Sequence, residues 1–426
     1  MPRLLKFSLV FLISLTAIIW GAGAYFYKNN SQFRYWWNLP LENRALSVQL
    51  EIERPFLNWF FNEIEEDSFS NLTPGSLKSS VQLGANWIVN MQEESGRFNY
   101  WYDPEKDTFS SKSEDNFLRQ AGTSYSLLSA FELLRDSALL QPVQKSLAYL
   151  NQFRVNHTPD TSYYLYRQKA KLGGTALPML VMLKFKELSG DTIYDQRLKS
   201  LANMILHLQK VYGTGQYKST YVYNGSFEYE KNTGWESNIY PGEAMLALTE
   251  MYAAFGDEKY LNSLDQAHSY YSEEGRWRHF SFMPWATIAM SRLAILTSQK
   301  KYADFAFEMT DRILYWQNLN QGRVTYGSLF GVPTVFTATW IEGVAEAWKL
   351  AIHLNLNEKS ERYFRQTMIS YKWLLQLQIS EQQLQAKGYS EPSLGGFSRS
   401  LIEPSIRIDN TQHAISAIIK GLEAIE

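Results

Sequence analysis

Six stretches of this chain begin alike, with a short segment rich in Gly, Trp or an acidic residue that opens a run of helix-like apolar periodicity. One residue from each segment serves here as its marker: Gly122, Gly174, Gly242, Trp285, Glu342 and His413. The spacing between successive markers is uneven, so loops of different lengths must connect the repeated units. An internal repeat of this kind is typical of arrays built from one supersecondary unit, and it constrains the fold more than any other feature of the chain.

A second candidate helix precedes each marked segment. These helices are predicted at residues 77–91, 142–153, 193–210, 258–272, 300–318 and 358–378. In the third of them, Leu198, Leu201 and Ile205 fall on one helix face, as the period of an amphipathic helix requires. The sequence therefore predicts an all-α protein in which twelve helices form six hairpins.

The connections between these helices are of two kinds. The links that follow marked helices are short: Ser189-Gly190-Asp191 and Phe255-Gly256-Asp257 each combine a Gly that ends one helix with an Asp suited to cap the next. The links that lead into marked helices are long and rich in Tyr and Trp, which argues for ordered, functional loops. Links of one kind emerge on one face of a hairpin array, so we expect the long loops and the starts of the marked helices to share that face.

The number of hairpins and the small residues of the marked helices favour a closed ring. Six is the number at which α/α toroids close, and small residues such as Gly173, Ala286 and Gly343 would let inner helices crowd around an axis. We therefore predict an (α/α)6 barrel with the marked helices inside and a pocket at their N-terminal ends. An open α-solenoid with long decorative loops is the alternative.

The N-terminus carries a candidate membrane segment. Arg3 and Lys6 precede an uncharged run over residues 7–27, which is long enough to span a bilayer. Positive charge before this run predicts an uncleaved anchor with the following chain on the extracytoplasmic side, periplasmic or extracellular. The Ala22-Gly23-Ala24 segment leaves a cleaved signal peptide as the alternative. The predicted domains are thus a transmembrane anchor or signal peptide at 1–27, a juxtamembrane linker at 28–74 and the toroid at 75–426.

Composition narrows the classes of function. The net charge of −2 lacks the basic excess of a nucleic-acid-binding protein. Because the chain has no Cys, disulfides, Cys-ligated zinc and cysteine nucleophiles are all excluded. Only His279 and His413 among the histidines fall on the predicted face, so we predict no cofactor and no metal site, although calcium bound by carboxylates stays open.

The predicted face collects aromatic rings, carboxylates and arginines. Rings can stack on the apolar faces of sugars while charged groups bind their polar substituents, so this set suits a polysaccharide or oligosaccharide. The candidate catalytic residues are Glu236, Asp115, Asp409, Glu342 and His413. The candidate substrate-binding residues are Trp235, Tyr240, Glu243, Trp285, Trp340, Arg119, Arg407, His279 and Trp101.

The acidic candidates have both catalytic and structural interpretations. Glycoside hydrolysis needs two carboxyl groups flanking the bond. Glu236, in the Gly-Trp-acid loop GWESNIYPGE, is the leading candidate for the general acid, with Asp115 or Asp409 as its partner. Acids in the first turn of a helix, such as Glu243, also stabilise the helix N-terminus. Asp409 could equally be the N-cap of the last helix, with His413 one turn later.

The repeat, over about residues 75–426, resembles the six-hairpin glycosidase-like superfamily of (α/α)6 toroids. Within it, YPGEAMLALTEMYAAFGDEKYL at 240–261 and the segment at 395–418 are similar to hairpins of bacterial proteins related to the C-terminal, all-helical domain of D-glucuronyl C5-epimerases. The resemblance implies a toroid that acts on, or binds, a polysaccharide. Protein prenyltransferases and lanthionine cyclases resemble this layout but use a zinc site that includes Cys, and the DxDD motif of squalene-cyclase relatives is absent from this chain.

Three hypotheses for function follow. The first is an exported, membrane-anchored carbohydrate-active enzyme of the glycoside hydrolase type that uses paired carboxylates. The second is a polysaccharide lyase or uronate epimerase, in which a Tyr or His removes a proton beside a carboxyl group and Arg stabilises the enolate. The third is a non-catalytic scaffold that binds glycan or a partner protein in envelope polysaccharide assembly.

Overall fold

The computed structural model describes residues 69–227, 236–273, 275–319, 321, 324–329 and 333–425. In these ranges the chain forms thirteen α-helices, and twelve of them are the helices of the six predicted hairpins. They are α1 (Pro74–Asn90), α2 (Phe117–Leu134), α3 (Leu140–Asn151), α4 (Leu172–Ser189), α5 (Asp195–Lys210), α6 (Tyr240–Phe255), α7 (Glu258–Tyr271), α8 (Met283–Thr297), α9 (Lys300–Tyr315), α10 (Thr337–His353), α11 (Asn357–Leu377), α12 (Glu381–Lys387) and α13 (Ile408–Ile425).

The marked helices α2, α4, α6, α8, α10 and α13 form a closed inner ring. Each packs against the next in chain order, and α13 packs back against α2. The helices α1, α3, α5, α7, α9 and α11 pack on the outside of this ring. An open solenoid would leave its first and last inner helices apart, so the contact between α13 and α2 confirms the closed (α/α)6 barrel.

Small residues set the spacing of the inner helices. A Cβ atom added at Gly242 on α6 would lie 2.8 Å from the backbone nitrogen of Ala286 and 2.8 Å from Cβ of Trp285, both on α8. A Cβ at Gly343 on α10 would lie 3.0 Å from the carbonyl oxygen of Pro284. At these positions only glycine permits the observed approach of neighbouring helices, because protein interiors are already close-packed.

Glycines in the left-handed backbone conformation end α4 and α6, and the links that follow them are short. Gly190 ends α4 with a φ of 71° and Gly256 ends α6 with a φ of 64°. Asp257 then caps α7 by accepting a hydrogen bond from the backbone N–H of Lys259 at 3.0 Å. Asp191 instead closes a turn that precedes α5. Both predicted stops are confirmed, but only the second leads directly into a capped helix.

The long loops contain short strands that the sequence did not predict. The strands are β1 (Trp101–Asp103), β2 (Thr108–Phe109), β3 (Arg154–Thr158), β4 (Thr161–Tyr164), β5 (Ala170–Lys171), β6 (Thr220–Tyr223), β7 (Ser226–Phe227) and β8 (Ile406–Arg407). They form three small antiparallel sheets, ordered β2-β1-β8, β3-β4 and β5-β6-β7. Trp101 pairs with Arg407, so the first long loop is joined to the last. Strands this short cannot show a period of two in sequence.

No helix of the described residues is long and apolar enough to cross a membrane. The predicted anchor at 7–27 lies outside the described residues, as does the linker up to residue 68. Anchoring and export therefore stay predictions from the sequence.

We expect Gly242→Ala to destabilise the barrel by about 1–3 kcal/mol, because its methyl group would meet the backbone of α8. This loss should appear although Ala is the better helix former by roughly 1 kcal/mol. The matched control is Gly75→Ala in the exposed first turn of α1, where a Cβ has 3.8 Å to its nearest neighbour. Urea unfolding measures both free energies, and equal effects at the two sites would contradict the proposed close approach.

Candidate active site

A pocket of about 230 Å³ opens at the end of the barrel where the inner helices begin. It is lined by Asn116, Leu118, Arg119, Lys171, Leu177, Ile239, Tyr240, Glu243, Trp285, Asp409, Gln412 and His413. Six of these were candidate site residues from the sequence, and they come from four different inner helices. Ring closure brings them together, since α2 and α13 are the first and last inner helices along the chain.

Glu243 is a buried carboxyl group without a hydrogen-bond partner at one of its oxygens. It stands in the first turn of α6, its residue is 3% exposed, and its Oε2 atom accepts no hydrogen bond within the described part of the chain. A Cβ at Gly173 would lie 1.9 Å from that oxygen, so glycine is needed there to leave it room. Burial raises the pKa of Glu243 to about 8, although Arg119 and Lys171 oppose this rise. At neutral pH Glu243 is therefore mainly a protonated acid that can donate a hydrogen bond or a proton.

Asp409 is the opposite case, a buried carboxylate that is fully paired. Its Oδ2 atom accepts a hydrogen bond from Nε of Arg119 at 2.6 Å, and its Oδ1 atom accepts one from Nε of Arg407 at 2.9 Å. A second guanidinium nitrogen of Arg407 binds Oδ2 at 2.5 Å. Burial alone would raise the pKa of Asp409, but the two arginines hold it at about 2. Asp409 thus orients Arg119 toward the pocket, where its two terminal nitrogens are not engaged by Asp409.

His413 lines the same pocket and is held by a carboxylate. Its Nδ1 atom lies 2.5 Å from Oε1 of Glu342, which reaches across from α10 and is itself buried. The edge of the Trp285 ring packs on the imidazole with a centroid distance of 6.2 Å. A carboxylate can only accept a hydrogen bond, so in a neutral imidazole it fixes the tautomer with the proton on Nδ1 and the lone pair on Nε2. His413 is thereby prepared to take a proton from a bound molecule.

Six lining residues were not among the candidates, and Lys171 and Gln412 are the two whose polar groups bear most on the chemistry. Lys171, at the junction of β5 and α4, lines it without an ion-pair partner in the described residues. Burial lowers the pKa of Lys171, and the charges of Lys169 and Arg119 lower it further. Gln412 is fixed by a hydrogen bond of 3.0 Å from the hydroxyl of Thr123. The sequence places both residues on the correct face, but no motif distinguishes them from other Lys and Gln residues.

Asp115 does not line this pocket, and it is saturated with hydrogen bonds. One carboxylate oxygen accepts from Nε2 of Gln120 at 2.6 Å, and the other accepts from the hydroxyls of Tyr149 and Tyr166 at 2.9 Å each. These contacts tie the first two long loops to α2 and α3. They favour an anchoring role for Asp115 over a catalytic one.

Glu236 is likewise engaged, and it does not line the pocket. It accepts hydrogen bonds from Nζ of Lys218 at 2.8 Å and from the backbone N–H of Ser219 at 2.6 Å. The hydroxyls of Ser219 and Tyr212 also donate to it. Because the Lys218 side chain is fully buried, Glu236 supplies the negative charge that compensates this cation.

Three of the remaining candidates, Trp340, His279 and Trp101, lie away from the pocket lining. Trp340 is buried and donates its indole N–H to a backbone carbonyl at 3.0 Å. The Nδ1 atom of His279 lies 2.6 Å from a neighbouring serine hydroxyl, and burial lowers the pKa of His279 to about 4. Trp101 donates its indole N–H to a loop glutamate at 3.2 Å. Trp235 lies outside the described residues.

No group of three or more His, Cys, Asp or Glu side chains in the described ranges has an arrangement that could hold a metal ion. The pocket offers proton donors, proton acceptors and cations rather than a ready set of metal ligands.

A larger cavity of about 690 Å³ lies at the opposite end of the barrel, where the inner helices end. Most of its charged side chains form ion pairs with one another. Arg292 binds Glu346 at 2.9 Å and Glu250 at 2.5 Å, and Lys349 binds Glu423 at 2.8 Å. These ion pairs hold the ends of neighbouring inner helices together, which is a structural role. The smaller pocket is therefore the candidate active site.

Comparison of the sequence with protein-family models finds no match, and comparison with curated proteins finds none either. The structure is similar to solved structures of sugar-processing enzymes. A cellobiose 2-epimerase from Spirochaeta thermophila has a TM-score of 0.60 at 10% identity, covering 84% of this chain and 98% of the other. A GH76A alpha-1,6-mannanase from a Salegentibacter species has a TM-score of 0.58 at 11% identity, covering 82% and 99%. A D-mannose isomerase has a TM-score of 0.58 at 11% identity, covering 82% and 97%.

These similarities concern the fold. They confirm the (α/α)6 toroid fold that the repeat predicts. At 10–11% identity they leave the reaction open, because folds of this kind host different chemistries on one scaffold. The finer resemblance to glucuronyl epimerase hairpins stays a prediction.

We expect Glu236→Gln to lower the free energy of unfolding by about 3 kcal/mol, because the buried Lys218 would lose its countercharge. The control is Glu258→Gln, an exposed residue in the first turn of α7 that should change stability little. Chemical denaturation measures both. Unchanged stability together with lost turnover would instead restore Glu236 as the catalytic acid.

Glu243→Gln should change how stability depends on pH. Folded Glu243 keeps its proton up to about pH 8, whereas the unfolded chain releases it near the ordinary value of 4.5. Between these values the folded protein binds more protons, so the free energy of unfolding of the native chain falls as pH rises. The variant cannot ionise and should escape this loss, which has an upper limit of roughly 5 kcal/mol. Urea unfolding at pH 5, 6.5 and 8 checks this, and a slope equal to that of Glu258→Gln would contradict it.

Proposed function

We propose that this protein is a carbohydrate-active enzyme that moves a proton at a carbon atom of a bound sugar, as an epimerase, isomerase or lyase does. The observation that carries the proposal is the pairing, in one pocket, of His413 aligned by Glu342 with the protonated acid Glu243. One group is prepared to accept a proton and the other to donate one. Two groups with opposite tasks in one cleft are the usual basis of general acid–base catalysis.

The reaction begins at a carbon next to a carbonyl or carboxyl group of the sugar. Nε2 of His413 removes the proton, and the electron pair of the C–H bond moves onto the neighbouring oxygen to give an enolate. Arg119 and Lys171 stabilise the developing negative charge, and Glu243 donates a hydrogen bond to it. Return of a proton to the opposite face of the same carbon completes an epimerisation. In an isomerisation the enolate oxygen is protonated, a proton is added to the former carbonyl carbon, and the hydroxyl on the first carbon loses its proton to become the new carbonyl. Departure of the substituent at the next carbon with its bonding electrons completes an elimination.

The comparisons support this proposal without deciding among the three outcomes. A cellobiose 2-epimerase and a D-mannose isomerase have the same fold over nearly their whole length. Both names describe reactions on sugars. From the sequence we further propose that residues 7–27 anchor the enzyme and place its barrel outside the cytoplasm.

Glycoside hydrolysis is the second candidate, favoured by the separation of the pKa values of Glu243 and Asp409 within one pocket. A neutral acid and an ionised carboxylate are what a glycosidase requires. However, both oxygens of Asp409 already bind arginines, so activating water or attacking a sugar would require breaking these pairs. The mannanase inactivated for its complexes with mannooligosaccharides had two consecutive aspartates replaced, and this chain contains no Asp-Asp pair.

The test is exchange of sugar C–H hydrogen with solvent deuterium. The full-length chain is incubated in D2O with neutral and uronate-containing oligosaccharides, and incorporation is followed by NMR together with new reducing ends and absorbance from unsaturated sugars. We expect deuterium to enter at one carbon, or unsaturated product to form. New reducing ends without either result would establish the hydrolase instead.

We expect His413→Gln to reduce exchange or elimination by at least about 10²-fold, because it removes the proton acceptor. Glu342→Gln should reduce the rate by about 10–100-fold, as it weakens the alignment of the imidazole. The control His353→Gln changes an exposed histidine at the other end of α10 and should leave the rate unchanged. Full activity in His413→Gln would contradict the assignment.

A further inference from the structure

A second cavity adjoins the candidate active site. It has a volume of about 260 Å³ and is lined by Asp115, Asn116, Phe117, Leu118, Tyr164, Tyr166, Arg167, Lys169, Lys171 and Gly174. Asn116, Leu118 and Lys171 also line the active-site pocket. The two cavities are therefore adjacent, with Lys171 at their junction, and together they are called the cleft.

The charges along this cleft are unbalanced. Arg167, Lys169 and Lys171 line the second cavity, and none of them forms an ion pair within the described residues. Arg167 donates to the backbone carbonyls of two loop residues at 2.7 and 2.9 Å, and Nζ of Lys169 lies 4.9 Å from the centre of the Tyr223 ring. The acid of this cavity, Asp115, is buried and already accepts hydrogen bonds from the groups around it.

The active-site end of the cleft also carries an excess of positive charge. Arg119 and Arg407 both bind Asp409, so two positive charges face one negative charge. Glu243 adds little negative charge because it is mainly protonated at neutral pH. The helix α4 also begins beside Lys171, and its first backbone N–H groups add the positive end of a helix dipole. Glu243 also lines this end of the cleft, and one oxygen of its buried carboxyl group has no partner among the described residues.

The excess positive charge of the cleft destabilises the charged form of Lys171. The charges of Lys169 and Arg119 add to burial in lowering its pKa, and both are unfavourable to the ammonium group. An anion bound at the junction would relieve both effects. A neutral sugar would leave the repulsion in place.

We propose that the cleft binds an acidic oligosaccharide of at least two residues, whose anionic substituent is held by Lys171 and Arg119 at the junction of the two cavities. The reacting residue occupies the active-site pocket, and the next residue lies against Tyr166 in the second cavity. Lys169 and Arg167 favour further negative charge on that residue. The inference rests on the proposed function for the identity of the ligand as a sugar.

The experiment compares matched ligands on the full-length chain. The panel contains acidic oligosaccharides of one to four residues that carry carboxylate, sulfate or phosphate, each with its carboxyl-reduced, desulfated or dephosphorylated counterpart, and binding is measured calorimetrically at two salt concentrations. We expect acidic members to bind at least roughly tenfold more tightly than their neutral counterparts, with affinity rising from one residue to two and falling with salt. The series that binds, carrying carboxylate, sulfate or phosphate, identifies the kind of anion that the cleft prefers.

Lys171→Met should remove most of this preference, a loss of roughly tenfold or more for one charge-assisted hydrogen bond. Lys169→Met should reduce the gain from the second residue more than it changes the binding of single residues. The control Lys199→Met changes an exposed lysine on α5, which packs near the far end of α6. Equal binding of acidic and neutral members, an undiminished preference in Lys171→Met, or the absence of any acidic binder would each overturn the inference.

The two proposals can fail separately. Deuterium exchange on neutral sugars without a preference for acidic ones would leave the proposed function standing and reject the acidic ligand. A preference that depends on Lys171, without exchange or elimination on any bound sugar, would leave the ligand assignment standing and reject the proton-transfer function.

Discussion

The seam between the first and last inner helices is the contact on which this molecule depends. Along it Arg119 binds Asp409, the hydroxyl of Thr123 binds Gln412, and the hydroxyls of Ser126 and Ser416 meet at 3.0 Å. Outside the helices, β1 pairs with β8 across the same seam. These partners come from the first and last hairpins of the ring, so their contacts exist only when all six hairpins have packed in order. Polar contacts require one particular register, whereas apolar packing alone would tolerate several.

The same seam creates the electrostatics of the pocket. Asp409 is buried and would be unstable as a lone carboxylate, so it is accompanied by two arginines. Two cations around one anion leave a positive excess, and this excess lies on the pocket side through Arg119. The excess also limits the rise in the pKa of Glu243, which burial alone would take further. The positions of one acid and two arginines thus influence both the net charge of the pocket and the protonation of Glu243.

How far the sequence predicted this arrangement depends on the kind of signal. Helices and their ring order follow from apolar periods and from links such as Phe255-Gly256-Asp257, because these signals are local and repeated. Glu236 and Asp115 have the surroundings of a catalytic acid in sequence, but their carboxylates are met by donors from other parts of the chain, which no local pattern reveals. For Glu243 the sequence suggests a structural role, because an acid in the first turn of a helix commonly stabilises the helix N-terminus. Only the structure shows that one of its oxygens has no partner among the described residues. Lys171 carries no motif, so its importance comes from where the ring and the loops place it.

The charges at the two ends of the barrel favour the smaller cavity as the candidate active site. At the far end, Arg292 stands between Glu250 and Glu346, and buried charge is met by buried countercharge. This is the arrangement that stability alone would select, since an unmatched buried charge is strongly unfavourable. At the near end the same helices bring together, within the described part of the chain, a carboxyl oxygen without a partner and a lysine without a counterion. Folding does not require that arrangement, and an anion bound beside Lys171 would supply the countercharge that this lysine lacks among the described residues.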